Sequence, residues 1–277
     1  MKKYGISIWE LIKLRMRSFR TISFLFVLFF TLNIYIRPLK NIVEEQNCTI
    51  NMFVMPFLQQ NFYFMKLVLL LVLYFYSTAP FVKKEEMYRI MRIGKKQWGQ
   101  QNLVYIFATG FVITGILFLF QFIQFSSAGE FSNRWTTADK VFALSNLAES
   151  TGISFDYALM QEYSPFCLGI AVFCVDYLGI LGVALLLYTL TLWDHKVVAY
   201  LVCILFVFSP DILEMFSQSS VYYQPVTWLK TNSWRLGEDL SKPDLPYILV
   251  AQILLTAILC KVSQWRITSF QWASQEE

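Results

Sequence analysis

Six stretches of this chain are apolar over lengths that match a lipid bilayer, and the charged residues collect between them. A hydrocarbon core of ~30 Å takes about 20 helical residues to cross. Backbone at that depth has no water to bond, so each crossing segment must satisfy its own N–H and C=O groups as a helix. Residues 21–36, 62–82, 103–125, 166–193, 197–216 and 247–265 fit that requirement. The expected fold is therefore an all-α membrane protein with six transmembrane helices. Charged residues make up 15% of the chain, against about a quarter in a soluble domain.

The side on which positive charge accumulates sets the orientation. With the N-terminus inside, fifteen Lys and Arg residues fall on the cytoplasmic side and seven outside. Both termini are then cytoplasmic. Residues 37–61, 126–164 and 217–246 become extracytoplasmic loops, and 83–101 becomes a cytoplasmic segment.

Ahead of the first span, residues 1–20 read as an amphipathic helix lying in the membrane interface. Ile8, Leu11, Ile12, Met16 and Phe19 share one face and Lys13, Arg17 and Arg20 the other, with Arg15 off the pattern. The first span, 21–36, is short, so Arg20 and Arg37 are expected to snorkel at its ends. The loop at 126–164 is expected to fold on its own, with Thr137 capping a helix over 138–149 that lines up Val141, Leu144, Leu147 and Ala148. In the fifth span, Ser209, Pro210 and Asp211 read as a helix start, predicting either a kinked helix or a break followed by a short helix.

The chain carries few groups able to do chemistry. His195 is the single histidine, and the five cysteines lack any CxxC spacing. Neither a His/Cys metal centre nor a catalytic triad is expected. Glu85 and Glu86 with Arg89 fall one residue short of the Glu-Glu-x-x-x-Arg motif of intramembrane metalloproteases, which also need two further histidines. Gly94, Lys95 and Lys96 lack the upstream glycine and trailing hydroxyl of a phosphate-binding loop. Basic residues flanking spans point to lipid headgroups rather than nucleic acid. Asp176 and Lys66 lie within apolar runs near the outer edge, where Asp176 is expected to be solvated and where the two form a possible polar pair.

The segment 83–101 mixes acids, bases and large apolar residues at helical spacing. Met87, Ile90, Met91 and Ile93 supply apolar anchors for a cleft in a partner, and Glu85, Glu86, Arg89 and Arg92 supply charges for its rim. An interfacial N-terminal helix, six spans, a charged helix between spans two and three, and an interrupted region after span five together resemble ABC exporter permeases of the type-2 (type V exporter fold) class. The match at Glu85 and Glu86, at the turn 87–91 and at Gly94-Lys95-Lys96 implies that 83–101 is a coupling helix docking on an ATPase. The implied coupling residues are Glu85, Glu86, Met87, Tyr88, Arg89, Met91, Arg92 and Gly94. The resemblance further implies a second permease copy or homologue as partner, and a substrate path past Phe64, Tyr74, Tyr76 and Tyr200 on spans two and five. It implies no enzymatic activity or cofactor in this chain, with ATP and Mg held by the separate ATPase, and a multi-pass location in a bacterial plasma membrane. The loop at 126–164 is longer than the connection usual in that family. The other function considered is an ATPase-independent sensor or immunity protein that binds a peptide through its outer loops.

Overall fold

The computed structural model describes residues 15, 17–61, 63–81, 84–145, 152–193, 195–237 and 240–269, with backbone alone at 84–87, 89, 218 and 219. In chain order the elements are α1 (Phe19–Glu45), β1 (Ile50–Asn51), α2 (Met55–Leu58), α3 (Phe64–Phe75), α4 (Lys84–Ile93), α5 (Lys95–Phe125), β2 (Gly129–Glu130), α6 (Thr137–Leu144), α7 (Tyr157–Glu162), α8 (Pro165–Thr191), α9 (Lys196–Glu214), α10 (Gln218–Val221) and α11 (Leu245–Ser269). Two 3₁₀ turns, Thr227–Leu229 and Thr231–Ser233, lie between α10 and α11. Among the described residues five helices, α1, α5, α8, α9 and α11, are long and apolar enough to cross a membrane.

The second expected span, 62–82, is a helix of only twelve residues, α3. At 1.5 Å per residue that is ~18 Å, followed by turns up to Pro80. Pro80 has no N–H to continue the ladder and biases the residue before it away from helix. The first span is longer than expected. Phe24, Leu28, Leu32 and Ile36 are buried at successive turns, and Leu39 and Val43 continue the stripe. The helix follows that stripe through Pro38, whose ring is exposed, and ends at Glu45 rather than at 36. The expected interfacial helix lies outside the described residues apart from Arg15 and 17–20. Ser18 is extended there, and Phe19 and Arg20 already belong to α1.

The fifth span does not break. α9 runs unbroken from Lys196 to Glu214 with Pro210 inside it. Proline leaves the carbonyl four residues earlier, that of Phe206, without its helical donor. Here the Ser209 hydroxyl donates to that carbonyl at 2.6 Å, and Gln224 Nε2 approaches it at 3.5 Å. Side-chain donors thus take over the lost bond.

α8 is apolar all round, as a buried helix is. It touches α2, α3, α5, α9, α11 and the turn at 227–229. Over one end of this bundle the loops form a cap; α4 leaves from the opposite end, the elbow face. The 126–164 segment does not fold on its own, because β2 pairs in parallel with β1 from the first loop, Ile50 opposite Gly129 and Asn51 opposite Glu130. Phe57 of α2 stacks on Phe155 at 4.5 Å and meets Trp135 at 5.6 Å. Phe53 packs so closely on Gly169 of α8 that an added Cβ would lie 2.6 Å from its ring.

The helix expected at 138–149 is also corrected. Thr136, not Thr137, is the cap, in a reciprocal capping box with Asp139. The buried side chains of α6 are Asp139 and Phe142, whereas Val141 and Leu144 are exposed; Leu147 and Ala148 lie outside the described residues. Asp139 also accepts the Asn51 backbone N–H, 3.1 Å from Oδ1 and 3.2 Å from Oδ2, which pins α6 to β1. Burial pushes its carboxyl above the usual carboxylate range, and the N–H groups of Thr136 and Asn51 pull it back. Replacing it with alanine strands both donors, so Asp139→Ala is expected to destabilise the protein by roughly 3 kcal/mol. Denaturant titration of purified protein in detergent measures this, with faster proteolysis of the cap as a second signature.

Candidate coupling site and membrane-embedded polar pairs

α4 and α5 are separate helices joined by one residue. Gly94 sits at φ +84°, ψ 153°, a region that essentially only glycine occupies. Its N–H closes α4 on the Ile90 carbonyl at 2.8 Å, and its carbonyl accepts the Trp98 N–H that begins α5, at 3.1 Å. No atom lies within 4 Å of a Cβ built on Gly94, so backbone conformation, not space, demands glycine. Trp98 anchors the first turn of α5 in the interior.

Within α4, Ile90 is 5% exposed and faces the protein. Tyr88 and Met91, three residues apart on one face, are 76% and 75% exposed. Arg92 is exposed beside them. Glu85, Glu86, Met87 and Arg89 lie on α4, and their side chains are outside the described set. Of the expected anchors, Met91 thus faces outward, joined by Tyr88, while Ile90 faces inward.

A residue that sequence reasoning passed over holds the base of this elbow. Both terminal nitrogens of Arg15 donate to Asn102 Oδ1 at 3.2 Å. The guanidinium lies 4.6 Å from the centre of the Phe81 ring and 4.7 Å from that of Tyr105. Asn102 in turn donates to the Tyr188 hydroxyl at 3.4 Å, and the Tyr188 ring stacks with Phe81 at 5.9 Å. The N-terminal segment is thereby tied to Phe81, three residues ahead of α4, to α5 and to α8. The available signal was the failure of Arg15 to join the basic face of the amphipathic pattern.

At the cap end, Lys66 and Asp176, a possible pair by sequence, are each paired with another residue. Lys66 Nζ lies 2.6 Å from Asp211 Oδ1 and 2.7 Å from Oδ2, joining α3 to α9. Asp176 accepts from Gln59 Nε2 at 2.6 Å, joining α8 to the residue after α2. Asp176 is 0% exposed and so is not solvated at a membrane edge, because the cap folds over this part of α8. Near the Lys66–Asp211 pair, burial and the neighbouring Lys66 lower the Lys230 pKa, against the attraction of Asp211 and Glu214.

The four path candidates do not share one cavity. Phe64 is buried edge-on against Tyr35 at 5.3 Å. The Tyr76 hydroxyl is buried against Thr109 Oγ1 at 2.6 Å. Tyr74 is exposed, with its hydroxyl on Ser23 at 2.8 Å, and Tyr200 is half-buried on α9. A cavity of about 20 Å³ lies elsewhere, between α8, α9, α11 and the turn at 227–229, with room on the scale of one water. Gly182, Phe206, Leu229 and Gln252 are among its walls. Among the described residues no cluster of His, Cys, Asp or Glu has the makings of a metal site, and the five cysteines are unpaired.

Lys66→Met would leave the Asp211 carboxylate in a mostly buried setting without its cation. It is expected to destabilise by roughly 2–4 kcal/mol, and Lys66→Met/Asp211→Leu to recover most of that. Comparing thermal unfolding of the wild type, both single variants and the double variant in one detergent checks this. Compared with known proteins, the chain matches no family model, no curated protein and no solved structure.

Proposed function

We propose that this chain is the membrane-spanning permease subunit of an ATP-driven exporter in a bacterial plasma membrane, energised by a separate ATPase that docks on α4. The observation that carries this reading is the exposed pair Tyr88 and Met91 on a short helix half of whose residues are charged. Large apolar side chains left on a charged helix fit a partner's cleft better than they fit water, and central aromatic anchors dominate such contacts. The helix also stands where force would be useful. Gly94 joins it directly to α5, and Arg15 ties the neighbouring residues Phe81 and Asn102 together.

In this reading two copies, or this chain and a homologue, rock against each other as the ATPase closes on nucleotide, and an apolar or amphipathic substrate such as a peptide, drug or lipid passes between them. The Lys66–Asp211 pair then fastens spans two and five together at their outer ends in the state described here.

The test uses the tagged full-length chain purified from its native membranes. Wild type is expected to bring down a nucleotide-binding ATPase subunit. Truncating an interface anchor costs about 2 kcal/mol, so Tyr88→Ser and Met91→Ser are each expected to weaken that association roughly 30-fold. If the wild type brings down no ATPase, or if the double variant binds as well as wild type, the coupling role is lost. Peptide binding by the cap without an ATPase would then favour a sensor or immunity protein.

A further inference from the structure

The contact between Asp176 and Gln59 is incomplete in an informative way. Gln59 Nε2 donates to Asp176 Oδ2 at 2.6 Å. The other oxygen of each group, Asp176 Oδ1 and Gln59 Oε1, is buried with no donor in reach among the described residues. Both residues are enclosed, Asp176 at 0% and Gln59 at 1% exposure. An ionised carboxylate here would hold its charge in a dry interior on one neutral hydrogen bond. Lys66 is engaged with Asp211 rather than with Asp176.

Carboxylic acids and primary amides form a ring with two hydrogen bonds, one in each direction. One of the two is present here, and the orphaned atoms are those the second would join. Exchanging the amide nitrogen and oxygen of Gln59, which look alike in outline, does not remove the need: the ring still lacks one hydrogen, and the acid must carry it. We propose that Asp176 is a proton-binding site, held as the neutral acid, with Oδ1–H donating to Gln59 Oε1 while Oδ2 accepts from Gln59 Nε2. The proton comes from solvent before the cap closes over α8. One O–H bond forms on Asp176, its charge is neutralised, and both orphaned oxygens gain a partner. The cap and the central helix are then cross-linked by a ring that needs one proton to close. This inference does not depend on the exporter reading.

Infrared spectroscopy of the full-length protein in lipid nanodiscs, with carbon-13 in the aspartate carboxyls, tests it. At neutral pH the wild type is expected to show a protonated-carboxyl C=O band that shifts in D₂O and is lost in Asp176→Asn. That variant should keep the wild-type unfolding temperature, because the asparagine amide donates to Gln59 Oε1 and completes the same ring. Gln59→Met, which removes the partner and leaves the acid, should move the band to higher frequency. The proposal is overturned if Asp176→Asn removes no protonated band. It is also overturned if the Asp176 carboxyl absorbs as a carboxylate that responds to added sodium, which would make the two oxygens a cation site. Should Asp176→Asn fail to fold, the band position in Gln59→Met decides alone: an unmoved band refutes the ring.

Discussion

Polar groups on helices of membrane-crossing length have little water to bond, and in this protein many of them are met by residues from the loops. Gln59, just past α2, reaches Asp176. Gln224, between α10 and α11, reaches the Phe206 carbonyl exposed by Pro210. Arg15, ahead of α1, holds Asn102. The contacts of Gln59 and Gln224 each satisfy a helix and fix a loop of the cap at once, and that of Arg15 does the same for the N-terminal segment at the elbow face. Removing one partner would strand the other in a setting where an unmade hydrogen bond is expensive.

That division of labour explains what could be read from the sequence. The positions of α5, α8, α9 and α11 were legible because a run of some twenty apolar residues has few other uses. The end of α1 was not, because Arg37 and Pro38 look like a terminus, while the stripe through Leu39 and Val43 is spaced too widely to stand out among charges. The continuity of α9 was not legible either, since the donors replacing the bond lost at Pro210 come from Ser209 and from Gln224, fourteen positions further on. Asp176 was expected to be solvated, with Lys66 as a possible partner, but each instead has a different protein partner. Their partners depend on how the cap folds over α8 for Gln59 and on how α3 packs on α9 for Asp211, which residue spacing does not encode.

At the elbow face the order is reversed, with the segment legible and its surface not. Charge and helical spacing marked 83–101, but only the fold separates Ile90, turned inward, from Tyr88 and Met91, turned outward. The Arg15 cluster adds that this region is braced by the chain's own N-terminal segment. A guanidinium packed against two touching aromatic rings with a fixed amide acceptor is a rigid arrangement, and it joins segments that are neighbours only in space.

α5 is one unbroken helix of 31 residues, ~46 Å from end to end. Its foot adjoins the Gly94 elbow, and its head leads within four residues into β2, the strand that pairs with β1. A stiff rod joined at both ends turns small rotations into large displacements. Tilting it by about five degrees about its foot would carry its head by ~4 Å, close to the spacing between neighbouring β-strands. The two-residue pairing of β1 with β2 is therefore the place where a push on α4 would first be felt on the far side of the molecule.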